Sequence, residues 1–163
     1  MERDEIPRYV ADASVAVKWF VKEEDSPKAH GLKQLFQEGR IDLEAPSLLL
    51  YEVATALRFH PIAKFTSAKV GTVIDSLDKL QITREPTLKE WTTAFTLSQE
   101  NSISIYDAAY IGFAIEGNRK MITADSKLIA KIDPARTKAQ LSLLAETDLG
   151  QISPQEPKHL QRQ

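Results

Sequence analysis

The stretch RYVADASVAVKWFV, residues 8–21, gives the clearest local indication of the architecture. Its first five residues, RYVAD, are a short apolar run that ends in Asp12, which is typical of a buried strand. The pattern SVAVKWFV follows at once and predicts a helix. The stretch therefore predicts a strand that leads directly into a helix, with an acid at the end of the strand.

The same alternation of short strands and helices continues along the chain. Further strands are predicted at residues 41–45, 81–83 and 120–123, with a candidate edge strand in 139–149. Helices are predicted at residues 26–39, 46–60, 66–80, 87–101, 105–115 and 125–132. No hairpin turn of the Asn-Gly kind lies between the strands, so the pattern predicts an α/β fold with a mostly parallel sheet and helices on both faces.

The composition indicates an ordinary globular domain. The chain has 163 residues, of which 42% are hydrophobic and 27% charged, and its net charge is −2. Such a charge argues against a protein that coats polyanions in general, although a local basic groove remains compatible with it. The chain has no cysteine, which excludes disulfides and thiolate sites. No uncharged run approaches the length of a membrane span, so we expect a cytoplasmic protein without membrane contact.

Two segments differ in regularity. Residues 1–148 contain the alternating elements and are predicted to form one domain. Residues 149–163, GQISPQEPKHLQRQ preceded by Leu149, are polar and contain prolines. We expect them to form a mobile C-terminal tail.

Three acids lie where a parallel sheet usually binds its ligands. Asp12 ends the first predicted strand, Asp125 follows the strand KMIT by two residues, and Asp107 lies at the start of a predicted helix. Ligands of open parallel sheets bind beyond the carboxyl ends of the strands. Each acid also has a simple structural explanation, because Asp is a good helix cap. When Asp107 is considered by itself, capping is the better explanation.

Glu52 is harder to explain structurally. It lies inside the predicted helix PSLLLYEVATALRF, between apolar neighbours and far from either end. A salt bridge to Arg58 is one explanation. A second explanation covers all four acids, which could converge on a hard divalent cation such as Mg²⁺ or Mn²⁺.

A carboxylate centre of this kind indicates phosphodiester hydrolysis. A metal-bound water is a better nucleophile, and the cation neutralises the phosphate under attack. The chain has no Cys, no G-x-S-x-G elbow and no glycine-rich phosphate loop. The three histidines lack the spacing of zinc ligands.

These acids and their surroundings resemble the PIN domain, and most closely the VapC-type toxin ribonucleases of toxin–antitoxin pairs. The similar stretches are VADASV, LLLYEVATAL, SIYDAAYIGFA and MITADSKL, in this order, and they extend over about residues 9–132. The resemblance implies a three-layer α/β/α sandwich with a central parallel sheet. It also implies cleavage of RNA with Mg²⁺ or Mn²⁺, a homodimer and a small antitoxin partner.

The resemblance assigns roles to individual residues. Asp12, Glu52, Asp107 and Asp125 match the metal-binding and catalytic acids of the family. Ser14 and Thr123 match its small hydroxyl residues, which orient a carboxylate or a metal-bound water. Because the net charge is negative, contacts to RNA phosphates must come from local bases. The candidates are Lys18, Lys22, Arg58, Lys64, Lys127 and Lys131, each of which could equally be an ordinary solvated side chain.

Other functions remain open on the sequence. The chain could be a non-toxin PIN nuclease of RNA processing, or a non-catalytic PIN module that binds RNA or protein, although such modules usually lose acids. A phosphatase or receiver that forms an aspartyl phosphate would need a second Asp where Ser14 stands. A structure-specific DNA nuclease of the wider superfamily would need additional acids and a helical arch, for which the chain has little length.

Overall fold

A single parallel sheet forms the centre of the molecule. The computed structural model describes residues 5–152, and its strands are β1 (Arg8–Ala11), β2 (Asp42–Pro46), β3 (Thr83–Arg84), β4 (Lys120–Thr123) and β5 (Leu141–Leu143). Within these residues every strand pairing is parallel, and the strand order is β3-β2-β1-β4-β5. The fold is therefore of the predicted α/β type with a parallel sheet.

The direction in which the chain builds the sheet changes at β1. From β1 the chain adds β2 and then β3 on one side, and afterwards returns to place β4 on the other side of β1. The register aligns Val10 with Met121 and Ala11 with Ile122, so β1 and β4 end side by side. Such a reversal opens a crevice at the carboxyl ends of the two strands, and Asp12 lies there.

Helices connect the strands. They are α1 (Ala13–Ala16), α2 (Ser26–Gln37), α3 (Leu48–Arg58), α4 (Ser67–Leu80), α5 (Leu88–Asn101), α6 (Ile105–Glu116), α7 (Ser126–Lys131), α8 (Pro134–Thr137) and α9 (Leu149–Ile152). The first predicted helix is shorter than expected, since α1 ends at Ala16 and a 3-10 turn follows at Val17–Trp19. In residues 5–152 no helix combines the length and apolarity that a membrane crossing requires.

Layers of helix cover both faces of the sheet. Three consecutive residues of β1, Tyr9 to Ala11, are buried, and so are Met121 to Thr123 of β4. Because successive side chains of a strand point to opposite faces, burial of all of them means that both faces are covered. The three-layer α/β/α architecture is thereby confirmed.

Helix α6 is the most buried helix of the core. Its residues from Ala108 to Ala114 are all buried, as its apolar sequence predicts. Gly112 allows α5 to pack closely on it, since a Cβ at this position would lie 3.0 Å from the Glu90 carbonyl oxygen and the Ala94 nitrogen. Helices α5 and α6 therefore form a tightly packed pair.

The predicted tail begins with an ordered turn. Leu149 of α9 packs against α2 so closely that a side chain at Gly31 would collide with it. Residues 149–152 are therefore part of the packed structure, and the rest of the predicted tail, residues 153–163, lies outside the described residues.

Candidate active site

Asp12 is a buried carboxylate at the point where β1 becomes α1. Its side chain is 7% exposed, and it caps α1 by accepting a hydrogen bond from the Val15 amide at 3.3 Å. Burial raises the pKa of Asp12 to about 6, against the opposing effect of its hydrogen bonds, and the charge of Asp107 raises it further. Within residues 5–152 no Lys, Arg or His pairs with this carboxylate.

Two hydroxyl groups fix the Asp12 carboxylate between β1 and β4. Ser14 Oγ donates to Asp12 Oδ1 at 2.5 Å, and Thr123 Oγ1 donates to Oδ2 at the same distance. The Ser14 oxygen also accepts from the Ala124 amide at 2.8 Å. Ser14 and Thr123 therefore hold the carboxylate in one orientation, as expected for residues that orient an acid through hydrogen bonds.

Glu52 lies in the electrostatic field of two other acids. It is on α3, half-buried, and burial raises its pKa above the usual range. The nearby Tyr110 hydroxyl opposes this rise, whereas the charges of Asp107 and Asp12 add to it. The Tyr110 hydroxyl is itself buried and makes no hydrogen bond of standard geometry within the described chain. It therefore lies beside Glu52 without fixing it, and the alternative ion pair of Glu52 with Arg58 is not formed.

Asp107 does not serve as the cap of its helix. Ser104 is the N-cap of α6, and its Oγ accepts a hydrogen bond from the Asp107 amide at 3.0 Å. Within residues 5–152 the Asp107 carboxylate makes no hydrogen bond back to the start of the helix. Its charge instead raises the pKa values of Asp12 and Glu52, which places it near both.

Asp125 combines a structural role with a place beside the site. Its Oδ1 caps α7 by accepting from the Lys127 and Leu128 amides at 2.9 and 3.1 Å. Its own amide donates to Thr123 Oγ1 at 3.1 Å, the hydroxyl that holds Asp12. The cap uses only Oδ1, and the backbone of Asp125, through its amide, is linked to Asp12 by the Thr123 hydroxyl.

The structure brings Asp12, Glu52 and Asp107 within reach of each other's charge, whereas Asp125 is linked to Asp12 only through its amide and the Thr123 hydroxyl. In residues 5–152 no three Asp, Glu or His side chains lie close enough together to form a finished metal centre. The donor chemistry nevertheless fits a hard cation, because Asp12 is a nearly fully buried carboxylate without a cationic partner and feels the charge of Asp107. An ion here would relieve that repulsion.

A cavity of about 590 Å³ opens beside these acids. It is lined by Ala13, Ser14, Val17, Leu48, Tyr51, Glu52, Thr55, Ala56 and Tyr106. A second groove of about 330 Å³ adjoins it and shares the residues Leu48, Tyr51 and Tyr106. Ser14 and Glu52 therefore face a space large enough for a substrate, while Asp12 lies buried behind Ser14.

The predicted phosphate contacts divide into two groups. Lys22, Arg58, Lys64, Lys127 and Lys131 are exposed. Lys18 is 9% exposed, and its Nζ lies 3.1 Å from Glu23 Oε2. Glu23 also binds His60, whose Nδ1 accepts two backbone amides. Because Lys18 belongs to this internal network, we leave it out of the proposed contacts to RNA.

The sequence analysis missed the two tyrosines of the cavity wall. Tyr51 and Tyr106 directly precede Glu52 and Asp107, and both are largely exposed. A repeated Tyr-acid pair on two helices was the available signal. The pattern does not distinguish these rings from core residues, because exposure of an aromatic side chain cannot be judged from a helical pattern alone.

Comparison with known proteins identifies the family of the chain. The PIN domain family matches residues 9–133, which is most of the chain. The chain belongs to the PIN domain family. Among curated proteins no match was found.

Several solved structures have a similar fold. PAE2754 from Pyrobaculum aerophilum is 22% identical with a TM-score of 0.61, and the match covers 90% of each chain. VapBC2 from Rickettsia felis, bound to a DNA fragment from its promoter, is 15% identical with a TM-score of 0.62, covering 83% of this chain and 98% of the other. VapC20 from Mycobacterium tuberculosis, described as a toxin that cleaves the sarcin-ricin loop, is 13% identical with a TM-score of 0.55, covering 75% and 93%.

Proposed function

We propose that this PIN domain is an endoribonuclease that requires Mg²⁺ or Mn²⁺ and hydrolyses RNA phosphodiester bonds. The observation that carries the proposal is the state of Asp12. It is a buried carboxylate that two hydroxyls hold in place, that has no cationic partner in the described residues, and that lies beside further acids. Apart from the cap on α1, such an arrangement does not favour the fold, because an unpaired buried charge is destabilising.

The ligands proposed for the cation are the carboxylates of Asp12, Glu52, Asp107 and Asp125. When bound, the cation would neutralise the attacked phosphate and lower the pKa of a water molecule. Ser14 and Thr123 keep the Asp12 oxygens pointing in a fixed direction. Glu52 is presented on the cavity wall by α3, so it can meet a substrate that enters the cavity.

Exposed bases would bind the RNA backbone around the acids. Lys127 and Lys131 lie on α7, directly after Asp125, and Arg58 and Lys64 follow Glu52 in the chain. Lys22 follows α1 and is exposed as well. Each phosphate contact adds affinity that decreases with salt, so we expect binding to weaken steeply as ionic strength rises.

We further propose that the protein is the toxin of a type II toxin–antitoxin pair, acts in the cytoplasm and forms a homodimer. The support is the similarity in fold to VapBC2 from Rickettsia felis and to the toxin VapC20. An active ribonuclease harms its own cell, so a small antitoxin is expected to cover the acids, with a basic side chain in place of the cation.

Incubation with RNA tests the nuclease proposal. End-labelled RNA is treated with the wild-type protein in Mg²⁺ or Mn²⁺, in EDTA, and with the Asp12→Asn variant. The matched control is Asp78→Asn, which removes an exposed acid of α4. We expect cleavage by the wild type and the control only. Undiminished cleavage in EDTA or by Asp12→Asn would overturn the proposal.

Expression in a bacterial host tests the toxin proposal separately. Induction of the wild-type protein is expected to stop growth, whereas the Asp12→Asn variant is expected to be harmless. Co-expression of a small protein encoded next to the gene should restore growth. Growth that continues despite active ribonuclease in the cell extract would favour an RNA-processing enzyme over a toxin.

A further inference from the structure

We propose that three residues outside the group of acids position Glu52 for the reaction by fixing helix α3 in place. They are Lys18, Glu23 and His60, and the name clamp refers below to their side chains. The proposal rests on the nuclease function proposed above and adds positioning residues to it, which act through Glu52.

The carboxylate of Glu23 is the centre of the clamp. Its Oε2 accepts a hydrogen bond from Lys18 Nζ at 3.1 Å, and its Oε1 lies 3.2 Å from His60 Nε2. The side chains of Lys18 and His60 are each 10% exposed, so water has little access to either contact. Each oxygen of the carboxylate therefore has one partner, and low exposure strengthens both hydrogen bonds.

The hydrogen bonds of His60 fix the orientation of its ring. Nδ1 accepts the amides of Ile62 and Ala63, at 3.2 and 2.8 Å. A neutral imidazole has one N–H donor and one acceptor nitrogen. Because Nδ1 is the acceptor, Nε2 carries the hydrogen and donates it to Glu23. The ring thus connects the turn after α3 to the clamp in one defined way.

The segment that carries Lys18 and Glu23 is fixed to α2. In the 3-10 turn, Trp19 Nε1 donates to the carbonyl of Ala29 at 2.8 Å. The Glu23 amide donates to the hydroxyl of Ser26, the first residue of α2, at 2.8 Å. The 3-10 turn and Glu23 are therefore held by α2, and the clamp joins α3 to this fixed part.

Helix α3 needs such a link because its other contacts leave Glu52 free. Within the described residues no ion pair fixes Glu52. Helix α3 packs against α1 and the 3-10 turn, but apolar contacts have no direction, whereas hydrogen bonds do. Glu52 lies six residues before Arg58, the last residue of α3, which is about 9 Å along the axis. A shift at the end of the helix is therefore carried to Glu52.

The clamp also joins two segments that line the 590 Å³ cavity. Val17, next to Lys18, lines this cavity, and so do Glu52 and Ala56 of α3. Loss of the clamp would let α3 move relative to the segment that begins with Asp12. A displacement of about 1 Å in an active site can lower the rate about 100-fold. The clamp is therefore placed to set the separation of Glu52 from Asp12.

Stability alone gives little reason for a buried ion pair at this place. Apolar residues of similar size are often equally stabilising, because burial of two charges costs free energy. The directional contacts of the clamp nevertheless select one arrangement of α3 and the 3-10 turn. A positioning role has to be visible in the site itself, in addition to any change in stability.

Two substitutions of His60 separate its contacts. His60→Gln can keep a donor toward Glu23, whereas His60→Asn can keep only an acceptor for the amides of Ile62 and Ala63. We expect kcat for RNA cleavage to fall about 10-fold or more in His60→Asn, with KM little changed, and to stay near the wild-type value in His60→Gln. The control is Asp75→Asn, which breaks an exposed ion pair on α4. Activity in His60→Asn together with loss in His60→Gln would assign His60 to the turn after α3 and overturn the clamp.

Hydrogen exchange in EDTA without RNA tests the clamp independently of cleavage. In the last turn of α3, the Phe59 amide donates to the Thr55 carbonyl at 3.1 Å and the His60 amide to the Leu57 carbonyl at 3.4 Å. These amides should exchange faster in His60→Asn than in the wild type, and His60→Gln should resemble the wild type. Equal exchange in all three proteins would mean that the contact to Glu23 does not hold α3.

The rise in melting temperature with Mn²⁺ tests whether His60 acts through Glu52. We expect a smaller rise in His60→Asn and in Glu52→Gln than in the wild type. The double variant should resemble Glu52→Gln alone, because a misplaced side chain cannot be lost twice. Losses that add up in the double variant would show that His60 acts by another route and would overturn the proposal.

A second variant keeps the proposal testable if His60→Asn does not fold. Lys18→Met combined with Glu23→Ala removes both charges of the clamp, so neither is left buried without its partner. This double variant should show the same loss in kcat as expected for His60→Asn. Full kcat in the folded double variant would overturn the clamp.

The outcomes separate this proposal from the nuclease function. If the wild type cuts RNA and every clamp variant cuts it equally well, the clamp is wrong and the nuclease stands. If the wild type cuts no RNA, the nuclease function is wrong, and hydrogen exchange decides about the clamp. Faster exchange in His60→Asn alone would then support the link between Glu23 and α3, and unchanged exchange would overturn it.

Discussion

Helices α5 and α6 start with the same type of sequence and use it differently. In α5, Thr87 caps the helix, and Glu90 three residues later completes the capping box by accepting from the Thr87 amide at 2.7 Å. In α6, Ser104 caps the helix in the same way, but the carboxylate of Asp107 three residues later does not complete the box. The two helices pack against each other, so the difference arises within one small region.

The two carboxylates also differ in how their charge is compensated. Glu90 is 4% exposed and binds both terminal nitrogens of Arg84, at 2.7 and 2.9 Å, which holds the pKa of Glu90 below its usual range. Asp107 instead raises the pKa values of Asp12 and Glu52. Glu90 serves the fold and is neutralised by its surroundings, whereas Asp107 repels neighbouring acids, which supports the proposed cation site.

The largest effect is expected for Asp107→Asn. The change removes a charge from the proposed cation site while Ser104 still caps α6, so RNA cleavage should fall by more than about 100-fold, beyond the usual loss for a supporting residue. The metal-free melting temperature should stay the same or rise, because one repelling charge is gone. Normal cleavage together with lower melting would show that Asp107 acts as a structural acid like Glu90.

The opposite pattern is expected for Glu90→Gln. Loss of the charge weakens two hydrogen bonds to Arg84 and the capping bond to Thr87, which should lower the free energy of unfolding by about 1–3 kcal/mol. Urea denaturation measures this loss. Cleavage assayed well below the melting temperature should remain near that of the wild type, and a large loss of activity in a folded variant would remove the distinction between the two helices.

Binding of Mg²⁺ or Mn²⁺ should stabilise the protein by a smaller amount. At a metal concentration about tenfold above the dissociation constant, a site formed only in the folded state adds about 1.4 kcal/mol. Thermal melts with and without the metal should show this shift for the wild type and Glu90→Gln, and a much smaller one for Asp107→Asn. A melting temperature that ignores millimolar metal would argue against the proposed cation site.

The smallest effect concerns the pH dependence of metal-free stability. The pKa of Asp12 is raised in the folded state to about 6, so the folded state binds a proton more tightly than the unfolded chain. This contribution favours folding at low pH and is lost as pH rises from about 4 to 6. Glu90, with its lowered pKa, has the opposite dependence.

The comparison of wild type with Asp12→Asn isolates that contribution. Between pH 4 and 5 the wild type should lose about 1 kcal/mol of stability relative to the variant, as measured by urea denaturation at each pH. A constant difference between the two proteins over this range would mean that Asp12 is not a repelled, buried acid.

Local patterns were sufficient to predict most of the secondary structure. The strand KMIT was predicted and is found as β4, and the helix that begins after Thr87 has the predicted capping box. The strand expected at residues 81–83 begins later, at Thr83. Gln81 adopts a left-handed conformation that ends α4, so it is not available to the strand.

Long-range contacts account for what the sequence could not predict. The four acids stood out because each is a charge in an apolar context. The segments Thr87-x-x-Glu90 and Ser104-x-x-Asp107 look alike in sequence. Local patterns therefore could not show that Asp107, unlike Glu90, makes no hydrogen bond back to the amide of its N-cap residue. Burial of Lys18 against Glu23, and the exposure of Tyr51, likewise depend on how distant helices pack.

The reversal of the chain at β1 also determines when the surroundings of Asp12 are completed during synthesis. Thr123 holds Asp12 from a position 111 residues further along the chain, and the Ala124 amide reaches Ser14 across a similar span. A ribosome that has released only the first three strands therefore carries a nascent chain whose Asp12 still lacks its neighbouring strand. Chains fold from the N-terminus as they are synthesised, so the contacts that hold Asp12 form only after β4 has left the ribosome, and a ribosome stalled earlier carries a chain without them.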